Sequence, residues 1–110
     1  MQAKTEALAE ARIRALKDQI ARLGPMRPGL LTVQYKDPVR KRGAYRQISY
    51  TFQRRSRSDY VRPDDLPRIR AELKNSARFK AVCERLVAES LALSKLRSVA
   101  ARNKPRRPSA

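Results

Sequence analysis

The chain has 110 residues, with 27 Lys and Arg against 10 Asp and Glu, and a formal charge of +17. This length allows one compact core at most, and the core is thin, because fifteen of the apolar residues are alanine and only 23 are Leu, Ile, Val or Phe. The charge exceeds the magnitude of roughly 2 to 8 that keeps a small domain soluble, which indicates a polyanionic partner, nucleic acid before any other.

Composition also excludes several classes of function. The chain has no run of roughly 18 apolar residues and no apolar stretch after Met1, so we expect neither a membrane span nor export. It has no histidine, the commonest metal ligand and general base, and its single cysteine, Cys83, has no disulfide partner. We therefore predict a cytoplasmic protein with no metal, no cofactor and no small-molecule substrate.

An amphipathic helix is predicted over residues 1–24. Its apolar residues recur at spacings of three and four and form a heptad-like seam that contains Ala9, Ile13, Leu16, Ile20 and Leu23. Gly24 and Pro25 then supply the glycine and proline that commonly end a helix. Such a seam indicates either packing against another helix of the same chain or self-association through a coiled coil.

Residues 29–62 change to an alternating pattern and predict a three-stranded antiparallel β-meander. The apolar face is predicted to hold Leu31, Val33 and Tyr35 from the first strand and Ile48, Tyr50 and Phe52 from the second. The third strand, Ser56 to Arg62, follows a polar turn and ends at Pro63. The first connection, KDPVRKR, is predicted to be a flexible basic loop and the second a tight hairpin.

Residues 64–101 predict one long helix, with Asp64 or Asp65 as N-cap and Pro67 in the first turn. An apolar stripe begins at Leu66, Ile69 and Leu73, and Cys83 lies in its continuation, which predicts a buried structural thiol. The weak helix formers Asn75 and Ser76 mark a possible bend, and residues 102–110 are predicted to be a disordered basic tail. The whole is one α+β domain. The residues predicted to form helix interfaces are Ile13, Leu16, Ile20, Leu23, Phe79, Val82, Leu86 and Leu93.

No catalytic site is predicted. Nucleophilic or acid–base catalysis needs a positioned pair, and no histidine is present to activate Ser, Tyr or Cys. The only adjacent carboxylates, Asp64 and Asp65, are explained by helix capping. Neither GxxxxGK[ST] nor GxGxxG occurs, so we predict that the protein is not an enzyme.

The basic residues cluster in three segments, which is the pattern expected of a nucleic-acid-binding protein. The first cluster is Lys36, Arg40, Lys41, Arg42 and Arg46, the second is Arg54, Arg55, Arg57 and Arg62, and the third is Arg102, Lys104, Arg106 and Arg107. The first two should lie at opposite ends of the middle strand, some 27 Å apart. Arginine outnumbers lysine, which suits bidentate contacts to phosphate or guanine.

The solvent face of the middle strand should present Gln47, Ser49 and Thr51, which could contact nucleic acid or form an inert surface. A platform of stacked aromatic residues is not predicted, because Tyr50 and Phe52 share the apolar face of that strand. Tyr45, beside the basic loop, is the one aromatic residue predicted to reach nucleic acid.

Three segments carry a family resemblance: GLLTVQY, GAYRQISYTF and RSDYVRPDDLPRIRAELKNSARFKAV. Across residues 24–97 the chain resembles an uncharacterised family of small basic bacterial proteins with a strand, a Cys-rich loop, a strand that starts with a Gly-Pro-Tyr-like motif, a hairpin and a long C-terminal helix. Members are often encoded near mobile elements. The family's loop resembles a metal-binding knuckle, but the same interval here, KDPVRKRGAYR, has no Cys or His, so no metal is expected.

Two hypotheses follow. The first is a nucleic-acid-binding accessory protein that acts with a larger enzyme or ribonucleoprotein of a mobile element or of the RNA machinery. The alternative is a helical module for protein interaction or oligomerisation, as a homodimer or with another protein, and with no direct role at nucleic acid. The sequence leaves open whether DNA or RNA is bound and whether the nucleic acid is single-stranded or double-stranded.

Overall fold

The structure, a computed structural model, describes residues 2–103. The elements in chain order are α1 (Gln2–Arg22), β1 (Leu30–Asp37), β2 (Arg42–Phe52), β3 (Arg55–Val61), a short 3-10 helix (Pro63–Asp65) and α2 (Leu66–Asn103). The predicted α+β class is confirmed, with an antiparallel sheet in the order β1-β2-β3 between the two helices in sequence. Most of the predicted disordered tail, including Lys104, Arg106 and Arg107, lies outside the described residues.

The chain forms two compact units, one made of α1 with the part of α2 after residue 78, and the other of residues 23–78. In the first unit, Ala9 and Leu16 of α1 and Val82 and Leu93 of α2 are buried. Glu10 of α1 also accepts a hydrogen bond from Arg97 of α2 at 2.8 Å. The other residues predicted at helix interfaces, Ile13, Ile20, Leu23, Phe79 and Leu86, are only half-buried, so the predicted seam is buried in part.

The second unit packs the sheet against the start of α2. Ile48 is fully buried at the centre of the sheet, and it forms a core with Val61 and with Ile69 of α2. The partly buried residues around this core are Leu31, Tyr50, Leu66 and Leu73. Two residues predicted on the apolar face stay about half exposed, Val33 at 49% and Phe52 at 55%, because both lie outside this cluster.

The first hairpin differs from the prediction of a flexible basic loop. Asp37 pairs with Arg42 in the ladder, so only residues 38–41 connect the strands and Lys36 and Arg42 belong to β1 and β2. The Asp37 carboxylate accepts a hydrogen bond from the Arg40 backbone N–H at 3.2 Å, which closes the turn locally. The ladder hydrogen bonds outweigh the repulsion among the basic side chains.

The second hairpin is tight, as predicted. Phe52 pairs with Arg55, so the turn consists of Gln53 and Arg54, with φ of 53° and 64°. Two successive residues with positive φ are the mark of a type I′ turn, whose twist matches that of the flanking strands. This turn sets the register of β3 against β2.

The linker between α1 and β1 belongs to the second unit, where backbone and side-chain bonds hold it to β3 and to the start of α2. The Arg27 backbone N–H donates to the Glu72 carbonyl at 3.1 Å, and the Arg27 guanidinium pairs with Asp59 and lies 5.3 Å from the centre of the Tyr50 ring. Asn75 donates to the Pro25 carbonyl at 2.9 Å. Helix α2 is continuous through Asn75, where a bend was possible, and the side chain there serves the linker.

Three details of α2 refine the predictions. Asp65 directly precedes the helix, and its carboxylate lies 3.7 Å from Arg68. Cys83 is half-buried rather than buried, because Val82 takes the buried place on that turn. The helix extends to Asn103, so Arg102 lies in its last turn and not in the tail, since Ala100 and Ala101 favour helix and the first proline comes only at position 105.

Candidate nucleic-acid interface

The meander carries nine cations that form no ion pair. The four ion pairs of the described residues use the cations Arg27, Arg68 and Arg97. The nine others, all predicted as candidates, are Lys36, Arg40, Lys41, Arg42, Arg46, Arg54, Arg55, Arg57 and Arg62, and of these only Arg46 is half-buried while the rest are exposed. Residues 29–62 contain only two carboxylates, Asp37 and Asp59, so this segment has a strong excess of positive charge available to phosphates.

The structure places five of these cations in two groups at the ends of β2. Arg62, which was predicted beside the second hairpin, instead follows Val61, which pairs with Arg46, so it lies toward the other end of β2. The turn between β1 and β2 carries Arg40 and Lys41, with Arg42 beside it, and the other turn carries Arg54, with Arg55 beside it. β2 has 11 residues, which gives a span of about 33 Å at roughly 3.3 Å per residue. The two groups therefore cannot contact the same phosphate, and they fit a ligand that runs along the sheet.

The register also assigns the strand residues to two faces. Directly paired residues share a face of the sheet. We call the side that contains Ile48 and contacts α2 the helix face. The pairs Val33–Arg46 and Tyr50–Arg57 lie on this face. Arg57 lies on this face with its guanidinium 5.8 Å from the centre of the Phe52 ring. Arg42, Arg46, Arg55 and Arg57 thus all belong to the helix face.

The opposite side of the sheet, the open face, is largely polar. Its members in the register are Leu30, Thr32, Gln34, Tyr45, Gln47, Ser49, Thr51, Ser56, Ser58 and Tyr60. Thr32 donates to the Gln47 carbonyl at 3.4 Å and accepts from the Gln34 amide at 3.2 Å. Gln47, Ser49 and Thr51 of the middle strand lie on this solvent side as predicted, with Ser49 and Thr51 exposed and Gln47 half-buried. The open face therefore offers neutral hydrogen-bonding groups between two charged ends.

Two tyrosines lie side by side on the open face. The ring centres of Tyr45 and Tyr60 are 6.3 Å apart with the planes tilted by 49°, and Tyr60 is 63% exposed. A cleft of about 430 Å³ lies beside them, lined by Lys36, Gly43, Ala44 and the two rings. The structure thus places a second aromatic ring beside Tyr45, which the sequence analysis did not predict.

Tyr60 is the functional candidate that sequence reasoning missed. The alternation of β2 assigns Tyr50 and Phe52 to its apolar face, and both do lie on the helix face. A two-residue turn at Gln53 and Arg54 implies that Tyr60 is opposite Gln47, on the face of Tyr45. The signal was present in the spacing, but it required the turn length to be known.

The first unit has a groove of its own, of about 560 Å³, lined by Ile13 and Lys17 of α1 and by residues of α2 that include Ser90, Ser94 and Arg97.

Among residues 2–103, no three acidic or cysteine side chains are grouped so as to hold a metal ion. The helices of this part of the chain also contain no stretch long and apolar enough to cross a membrane.

Models of known protein families, curated proteins and solved structures were compared with the chain, and none of them matches it. The resemblance noted from the sequence therefore stays a prediction.

Proposed function

We propose that the protein binds nucleic acid through the cations at the two ends of its sheet. The observation that carries the proposal is the set of nine meander cations without a carboxylate partner in the described structure. A folded chain that keeps so many like charges unpaired is stabilised when a polyanion neutralises them. Because the cations are mostly arginine, they can contact phosphates in a bidentate manner.

We further propose that the protein is not itself an enzyme and acts as an accessory subunit with a larger enzyme or ribonucleoprotein in the bacterial cytoplasm. The family resemblance supports this part and adds the association with mobile elements. Arg102 and the cations beyond residue 103 would extend the same interaction.

Binding measured across a salt series tests the proposal. Each phosphate contact contributes about 0.7 to the slope of log affinity against log salt for a single strand and about 0.9 for a duplex. Replacing Arg40 and Arg42 together with alanine should therefore reduce the slope by roughly 1.4 to 1.8. A matched control replaces Arg68 and Arg97, which removes the same charge from positions that already have carboxylate partners, and should leave the slope nearly unchanged.

Undetectable binding at low ionic strength, or binding that does not depend on salt, would show that the proposal is wrong. Equal effects of the two double variants would show that net charge alone, and not the ends of the sheet, determines affinity.

A second candidate function is oligomerisation through α2. Val87 and Leu91 lie one helical turn apart and are 67% and 54% exposed, so they form a small apolar surface that a second copy of the helix could cover. Light scattering with and without nucleic acid distinguishes the two functions. A stable oligomer that is indifferent to polyanions and is disrupted by Leu91→Lys would favour the second candidate.

A further inference from the structure

We propose that the open face binds single-stranded nucleic acid by stacking bases on Tyr45 and Tyr60. This inference rests on the proposed function and deepens it, since it states which form of nucleic acid is bound and where its bases lie.

The two rings together form one aromatic surface. Their 6.3 Å separation lies within the range of about 4.5–7 Å for aromatic rings in contact. No base fits between rings that already touch, so a base must lie on their outer surface. Tyr60, at 63% exposure, leaves much of its side chain open to solvent, where a base can stack on it.

Gly43 makes room for a cation beside this surface. Its φ is 69°, and a Cβ at this position would lie 3.1 Å from the Cβ and 3.3 Å from the Cγ of Lys36. The aliphatic part of Lys36 therefore runs over the glycine and lines the cleft next to both rings. Since Lys36 forms no ion pair in the described structure, its ammonium group is available to the phosphate of a nucleotide whose base stacks on the tyrosines.

The arrangement selects single strands. Bases in a duplex are stacked on one another, so their faces cannot reach a tyrosine, whereas an unpaired base can turn its face to the sheet. Gln34 lies opposite Tyr45 and Gln47 opposite Tyr60 in the ladder, so hydrogen-bonding amides flank the aromatic surface. Stacking tolerates any base, and we therefore expect little sequence preference.

The decisive experiment compares probes of equal length on the wild-type protein, and the single strands among them also carry equal charge. The probes are a thymidine oligonucleotide of about 12 nucleotides, an oligomer of equal length made of abasic sites, the matching duplex, and an oligouridine of the same length. Fluorescence anisotropy should show that the abasic oligomer binds about 5-fold to 150-fold more weakly for each base that stacks. The duplex should also bind more weakly than the single strands, and the DNA and RNA single strands should bind similarly.

Variants assign the effect to the two rings. Tyr45→Leu combined with Tyr60→Leu should abolish the difference between the thymidine and abasic oligomers, and the corresponding Phe variants should keep it. Phe52→Leu is the matched control, because Phe52 is an exposed aromatic residue on the opposite face, and it should keep the difference between the thymidine and abasic oligomers.

Equal affinity of the wild-type protein for the thymidine and abasic oligomers would overturn the stacking proposal while leaving phosphate binding intact. A difference that persists in the double Leu variant would also overturn it. Absence of binding to every probe would reject the proposed function itself. Circular dichroism establishes that each variant folds, and if the double Leu variant does not, the comparison on the wild-type protein still decides, since the tyrosines also stabilise the sheet as a neighbouring pair.

Discussion

Replacing Gly29 with alanine tests the close approach of the chain to the sheet just before β1. Gly29 has φ of 137°, a backbone conformation that costs other residues about 1–3 kcal/mol. The new Cβ would lie 2.5 Å from Ile48 Cγ2 and 3.0 Å from the Ser49 carbonyl oxygen. Because Ile48 is fully buried, it cannot move aside freely, and overpacking adds about 1–3 kcal/mol.

Alanine also reduces the freedom of the unfolded chain, which stabilises the fold by about 0.4–1 kcal/mol. The net expectation for Gly29→Ala is a loss of about 1–5.5 kcal/mol in the free energy of unfolding. Urea denaturation followed by far-UV circular dichroism measures this loss, as a lower midpoint with a similar slope.

Gly24→Ala is the matched control within the same linker. A Cβ there would lie 3.2 Å from the Asn75 amide nitrogen, which donates to the Pro25 carbonyl, so the loss should not exceed the value of that hydrogen bond, about 0.5–1.5 kcal/mol. If the two alanine variants were equally stable, the Cβ at position 29 would be accommodated, and the reasoning from φ and contact distance would be refuted.

Three further predictions concern stability in the second unit. In the same denaturation assay, Ile48→Ala should lower the free energy of unfolding by about 2–5 kcal/mol. Val39 is 93% exposed, so Val39→Ala should have almost no effect. Similar losses in the two variants would show that Ile48 is not the centre of the core. Arg54→Gly should stabilise by about 0.5–1 kcal/mol, because glycine accepts positive φ without strain, and a lower midpoint would count against the type I′ turn. Arg27→Met should lower the free energy of unfolding by about 1–2 kcal/mol, because it removes the ion pair and the ring contact. Arg68→Met should lower it by less, because the carboxylate contacts of Arg68 are exposed pairs along a helix. The reverse order would show that Arg27 does not hold the linker.

The sequence was sufficient for the class of fold and for the centre of the sheet. The alternation around Ile48 and the two helical stripes are strong periodic signals, and Ile48 is the most buried residue. The exposure of Val33 and Phe52 could not be predicted, because alternation assigns a face without stating how much of that face α2 covers. The binding of the linker through Arg27 also had no periodic signal, since it depends on the tertiary position of Asp59.

The candidate site was likewise predictable from the sequence in part. The basic residues were all visible in the composition, but their distribution depends on hydrogen bonding in the ladder, which places Lys36 and Arg42 in strands instead of a loop. Charge runs carry no information on pairing register. Tyr45 was identified from its position next to the charges, whereas Tyr60 required the register that the second turn sets.

The division of β2 into two faces constrains the length of that strand as much as its composition. Inserting or deleting one residue between Gly43 and Ile48 would exchange the two faces for part of the strand and direct Tyr45 toward α2. Natural variants should therefore tolerate substitutions on the open face far better than changes in length. For the same reason, a library that randomises the exposed positions among Gln47, Ser49 and Thr51 at constant length would alter ligand preference while preserving the fold.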